Sequence, residues 1–325
     1  MALVIVSCLG MWLGAFKGRA IPLYWTVIDL VFGSIGQKMD RAGRPAGDLI
    51  FRGFFLTVLV MAISFLLARG VNALVIPGFY PLLFDIVMLS LVLASGSVWK
   101  VNMKLHRALA TDQTVPGAFY AIAVSSRTDL TQGDEFAITR TGMALLARSF
   151  DKGVVSPILW YLIGGLPAAF IYAGLAGLAW RFGRDGFTGG FGRMALELEK
   201  LMGMVPNLLA GLLMAMAGLF TPTGRMSSGL AGFLMAKAKS PYFQGGSPVT
   251  AMAYALNVTL GGAGVDQEGR ALRRDWTGPE RATAQLTAGH LHRAVYITLL
   301  AHILFILSLL GAMIVSGHHL LDFIG

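Results

Sequence analysis

Residues 148–180 read RSFDKGVVSPILWYLIGGLPAAFIYAGLAGLAW, a charged lead-in followed by more than twenty uncharged residues broken only by Gly164-Gly165 and Pro167. Crossing a hydrocarbon layer takes about 20 apolar residues, so this stretch predicts a membrane helix rather than a core helix. The expected fold is all-α, a polytopic integral membrane helical bundle with amphipathic helices and cytoplasmic loops.

Composition points the same way. Hydrophobic residues make up 55% of the chain and charged residues 13%, where soluble domains carry roughly 25% charged residues. Too few charges remain to solvate a water-soluble globule of 325 residues. The net charge of +9 is the excess expected of cationic cytoplasmic loops. No Lys/Arg run alternates with aromatics as a nucleic-acid groove requires, so nucleic acid is not an expected partner; the lipid bilayer is. The single cysteine, Cys8, cannot form an internal disulfide.

Spans are expected at about 1–16, 53–76, 81–99, 154–180, 204–220 and 294–316 of one membrane domain, with cytoplasmic subregions at 100–153 and 221–293. The first is read as retained, because its positive charges follow the apolar run instead of preceding it. Lys and Arg number six in 17–52, seven in 100–153 and eight in 221–293, or 21 of 26, while 182–203 has three. That asymmetry assigns the three rich loops to the cytoplasm. Counting crossings then puts 182–203 outside, unless a flanking segment is re-entrant.

Among residues with chemistry, Asp85 lies near a span end and reads first as an interfacial structural acid, with function the alternative. His290 and His292 stand two apart and do not share a helical face, so with His302 they read as structural. The glycine-rich GFTGGFGRM at 186–194 could cradle phosphate at a helix start, although an ordinary connecting loop is the commoner reading. No serine-histidine-acid order, HExxH or Walker loop is visible.

Several segments share the order of a known family. Pro22 and Trp25, the SSRTDL segment with Arg127 and Thr128, Gly153 and Pro157, GGLP at 164–167 with Tyr172, Gly192 and Pro206, Ser240-Pro241, and AMAYALNVTLGG at 251–262 occur in sequence. Together they resemble the CobD/CbiB family, the membrane-bound adenosylcobinamide-phosphate synthases of cobalamin biosynthesis, over nearly the whole chain. The resemblance implies an ATP-driven, magnesium-dependent amide ligation that joins an aminopropanol or its phosphate to a corrinoid carboxylate. Such a reaction calls for cations on phosphates, acids on the metal and a base for the amine. The implied substrate or nucleotide-binding residues are Arg127, Thr128, Gly192, Ser240, Gly261 and Gly262, and the acids left for magnesium are Asp129, Asp151 and Glu199.

The family's acidic positions are largely altered. Its two glutamates, asparagine and aspartate before the glycine align with Ala144, Arg148, Ser149 and Lys152. Its paired aspartates align with Glu199 and Lys200. Two functions follow: a cobalamin-pathway ligase with a rearranged acid set, or a non-catalytic paralogue that binds corrinoid, binds other cobalamin-pathway proteins or signals, as AmpE-type proteins on the same scaffold do. Both place a multi-pass protein in the inner (plasma) membrane with its active face in the cytoplasm.

Overall fold

The computed structural model describes residues 18–41, 43–73, 81–111, 116–183, 186, 190–221, 228–235 and 239–322; the span expected at 1–16 and Cys8 lie outside them. In chain order the helices are α1 Leu23–Met39, α2 Ala46–Ala73, α3 Pro81–Leu91, α4 Gly96–Ala110, α5 Pro116–Ser126, α6 Glu135–Phe150, α7 Ser156–Phe182, α8 Arg193–Leu219, α9 Ser228–Met235, α10 Ser247–Leu256 and α11 Ala288–Asp322. A small antiparallel sheet, β1 Thr128–Asp129, β2 Gly264–Asp266 and β3 Ala271–Leu272, sits among the polar connections. The chain is an all-α membrane bundle.

What makes it a membrane protein is the outside. The apolar window of α2 is only 28% buried and that of α11 only 22%, and Phe51 and Leu66 of α2 stand 62% and 64% exposed. Large apolar side chains turned outward along a whole helix need lipid as their solvent. The corresponding window of α8 is 56% buried. This helix packs against α7, α10, α11 and α9, and so forms the central post of the bundle. Close crossings rest on small residues, which let helix backbones approach without a hydrophobic driving force. A Cβ at Gly53 would strike the Phe191 carbonyl, and one at Gly174 would lie 2.6 Å from Ser64 Oγ.

Helix α6 starts where its sequence says it should. Asp134 caps it, accepting a hydrogen bond from the Ala137 N–H at 2.6 Å, and Glu135 follows in the first turn. It runs without a stop through a π-helical turn, Asp151–Val155, into α7. The turn leaves the Gly153 carbonyl free to accept the Ala94 N–H at 3.1 Å, which secures the bend of 47° between α3 and α4. The segment 81–99 therefore holds α3, that bend and the first turn of α4.

Residues 154–180, expected as one crossing, fold back on themselves. Arg148 and Trp180 line the same cavity, whereas a straight helix would hold them about 48 Å apart at 1.5 Å per residue. The reversal lies at Gly164 (φ −137°, ψ 19°) and Gly165 (φ 66°, ψ −162°), just ahead of Pro167. The second pair of angles belongs to a region that only glycine occupies comfortably. Near this tip Asp85 accepts a hydrogen bond from the Tyr161 hydroxyl at 2.6 Å. Because the excursion returns, residues 182–203 start on the side of Arg148; crossing parity put them opposite. Gly165→Ala is expected to destabilise the fold by about 1–3 kcal/mol, read as a lowered melting temperature in detergent, and an unchanged melt would place the reversal elsewhere.

Candidate functional site: an arginine-lined cavity backed by a buried ion pair

The two cation-rich subregions meet at one place. From the first come the end of α5 and the face of α6, on which Arg140, Ala144 and Arg148 repeat every four residues and so share one stripe. From the second come Ser240, Gly261, Arg274 and Thr277. These residues, with Arg127 and Trp180, line a cavity of about 90 Å³. Arg140, Thr141, Gly261 and Arg274 also wall a second cavity of about 270 Å³, which contains Thr128, Asp129 and Gly262.

The arginines are not equivalent. Arg127 pairs with Glu268 at 3.1 Å and lies 5.4 Å from the Trp180 ring centroid. Its backbone is held at φ 53°, uncommon for a residue with a side chain. Arg140 donates to the Ala284 carbonyl at 2.7 Å and stacks on Trp276. Arg274 donates to the Thr128 hydroxyl at 2.7 Å, and burial, then the charge of Arg148, pulls its pKa down to about 10. Arg148 has a buried Nε with no hydrogen-bond partner. Among the described residues no carboxylate pairs with Arg148 or Arg274. Although Asp266 and Asp275 also line the cavity, the two guanidinium groups repel each other across it and offer an anion charged donors. The smaller cavity admits a group of phosphate or carboxylate size, and the bulk of a larger ligand would lie beyond it.

Behind Arg148 lies a polar cluster. Lys152 Nζ sits 2.6 Å from Glu199 Oε1, the two side chains being 6% and 0% exposed, and 4.5 Å from the Tyr242 ring centroid. Tyr242 donates its hydroxyl to Glu199 Oε1 at 3.0 Å. Burial first, then the Glu199 carboxylate, raises the Tyr242 pKa, so the phenol stays a donor. Asp151 accepts from Ser156 Oγ at 2.7 Å and from Asn207 Nδ2 at 2.6 Å.

Of the residues expected at the site, Arg127, Ser240 and Gly261 line the first cavity and Thr128, Gly261 and Gly262 the second. Gly192 stands apart, pressed on the Phe182 carbonyl at the start of α8, where it serves packing. Asp129 accepts from the Thr131 N–H and hydroxyl, bonds that hold its carboxyl below the usual range. Asp151 and Glu199 lie together in the polar cluster. Among the described residues no three of His, Cys, Asp or Glu converge, and the ammonium of Lys152 already holds Glu199, so Asp151 and Glu199 do not form an all-protein magnesium cage. Sequence reasoning passed over Arg140, Arg148 and Arg274 as ligand-binding groups; the four-residue repeat on α6 was the signal that could have found the first two.

Comparison with known proteins bears on this arrangement. The family model described as CobD/Cbib protein matches residues 11–298. The chain is 28% identical over 273 residues to the cobalamin biosynthesis protein CobD of Brucella melitensis, covering 80% of this chain and 82% of that one. It is 25% identical over 283 residues to the protein of the same name from Rhodobacter capsulatus, covering 84% and 85%. To a probable cobalamin biosynthesis protein CobD of Pyrococcus abyssi it is 24% identical over 203 residues, covering 62% and 66%. No solved structure matches. With a family model that spans most of its length and relatives aligned over most of theirs, this membrane protein belongs to the CobD/Cbib family.

Proposed function

We propose that the chain serves cobalamin biosynthesis by binding the phosphoryl group of a nucleotide or a phosphorylated amine between Arg148 and Arg274, at the cytoplasmic face of the inner membrane. The reaction is amide ligation of that amine to a corrinoid carboxylate. The observation that carries the reading is the pair of arginines that line one cavity and, among the described residues, form no ion pair with the two acids, Asp266 and Asp275, that line it with them. Sidedness is supported by the cavity's origin in 100–153 and 221–293, the two loops richest in Lys and Arg. The family name and the names of the relatives support the pathway.

In the ligation, the amine nitrogen attacks an activated carboxyl carbon, phosphate leaves, and the amine proton passes to a base. The residues of this chain bind and orient the phosphate. Arg127, held by Glu268 and Trp180, contributes less than the two arginines that form no ion pair among the described residues. A second reading, a non-catalytic paralogue that binds corrinoid or a pathway protein, is favoured by one observation, the acid Glu199 committed to Lys152.

Purified protein in detergent, supplied with ATP, aminopropanol phosphate and a corrinoid acid, separates the two. Amide product in the mass spectrum supports ligation, and phosphate-dependent binding without product supports the paralogue. Failure of ATP, aminopropanol phosphate and inorganic phosphate alike to bind removes the site. Arg127→Ala is expected to weaken binding by about tenfold or less, near 1.4 kcal/mol, measured by calorimetry; complete loss would move the main anion contact to Arg127.

A further inference from the structure

The cluster behind the cavity contains an ammonium in contact with one carboxylate, Glu199, and in the field of a second, Asp151. Asp151 and Lys152 are adjacent in sequence and both buried, at 0% and 5% exposure. The π-helical turn that contains them is closed on its far side by α8, which supplies Glu199 and Asn207. Lys152 Nζ lies 2.6 Å from Glu199 Oε1, and its charge and that of Glu199 both act on Asp151. Glu199 Oε2 is buried with no hydrogen-bond partner. Buried charges of this kind are expensive and are kept where they have a partner or a task. Two carboxylates alone would leave a doubly negative, uncompensated pocket next to an anion receptor, and a mobile divalent cation is one remedy. A tethered cation is another.

We propose that Lys152 is a built-in cation that occupies the place a divalent metal would take beside Glu199 and near Asp151. The chain accordingly neutralises a bound phosphate with its own arginines and needs no metal to hold it. Its phosphate clause rests on the function proposed above, and its metal clause does not. Ammonium and metal differ in one consequential way. A metal can be withdrawn or exchanged, and bridges carboxylate and phosphate oxygens simultaneously. Lys152 is fixed by its backbone and stays with the protein oxygen of Glu199, so the phosphate must be held by Arg148 and Arg274 instead.

The experiment uses the full chain in detergent with Mn²⁺ followed by electron paramagnetic resonance, together with thermal melting. Wild-type protein is expected to bind no Mn²⁺ at this position, and inorganic phosphate is expected to bind equally in Mg²⁺ and in EDTA. Lys152→Ala is expected to gain a Mn²⁺ signal and a rise in melting temperature on adding Mn²⁺, and Lys152→Ala with Glu199→Gln to lose both. A wild-type Mn²⁺ signal abolished by Glu199→Gln overturns the proposal, as does a folded Lys152→Ala protein that takes up no Mn²⁺. If Lys152→Ala does not fold, the wild-type Mn²⁺ titration decides. If phosphate binds under neither condition, the phosphate site is lost and the Mn²⁺ results still judge the role of Lys152.

Discussion

Glu199→Gln is expected to lower the stability of the folded protein by about 3–5 kcal/mol, the typical effect of stranding one member of a buried ion pair. With both side chains almost fully enclosed, Lys152 would be left charged in a low-dielectric interior with no ion-pair partner, beside the Tyr242 ring and the neutral amide that replaces Glu199, with only the non-contacting Asp151 carboxylate to offset it. The converse change, Lys152→Met, strands Glu199 and is expected to be as harmful. Removing both charges in Lys152→Met with Glu199→Gln is expected to recover most of the loss, because two neutral groups of similar volume avoid the desolvation that the pair must overcome. Melting in detergent, compared across the two single variants and the double variant, gives the coupling directly. A double variant no more stable than either single one would mean that the side chains act through packing and not through charge.

Arg148→Ala is expected to have the opposite profile. Affinity for inorganic phosphate or ATP should fall at least about 30-fold, equivalent to about 2 kcal/mol, since one of two buried charged contacts is removed. The melting temperature should stay level or rise, because Arg148 is buried without an ion pair among the described residues and repels Arg274, with only the non-contacting Glu199 carboxylate to offset the cost of its burial. A group that weakens the empty fold while serving a ligand is the usual exchange of stability for function. Binding measured by calorimetry and melting measured on the same preparation test the claim together; an Arg148→Ala protein that melts much lower and binds phosphate normally would assign this arginine to architecture.

How much of this was legible beforehand differs by level. The membrane class was plain in the sequence, because charge scarcity and long apolar runs are one-dimensional properties. The family was legible in ordered fragments such as GGLP at 164–167 and the glycines at 261–262. Sequence also singled out Arg127, Thr128, Ser240 and Gly261, residues that the fold brings to adjoining cavities. The reversal at Gly165 was harder to see. Glycine pairs are tolerated inside membrane helices, and only the backbone angles separate a tolerated pair from a turn. Harder still was the partner of Lys152. Glu199 lies 47 residues away, so the sequence registered the loss of an acid at 152 without showing which carboxylate the new lysine would meet. The same holds for Arg274, whose relation to Arg148 exists only once the polar segments of both halves have come together.

The doubling back of the chain at Gly164-Gly165 has a bearing on how such a protein can change over time. An out-and-back excursion contributes an even number of traverses, so lengthening it, trimming it or deleting it leaves every later segment facing the compartment it faced before. A single added traverse would turn the rest of the molecule inside out. This part of the architecture can therefore vary in reach while the orientation of everything downstream, including the arginine at 274, is inherited unchanged.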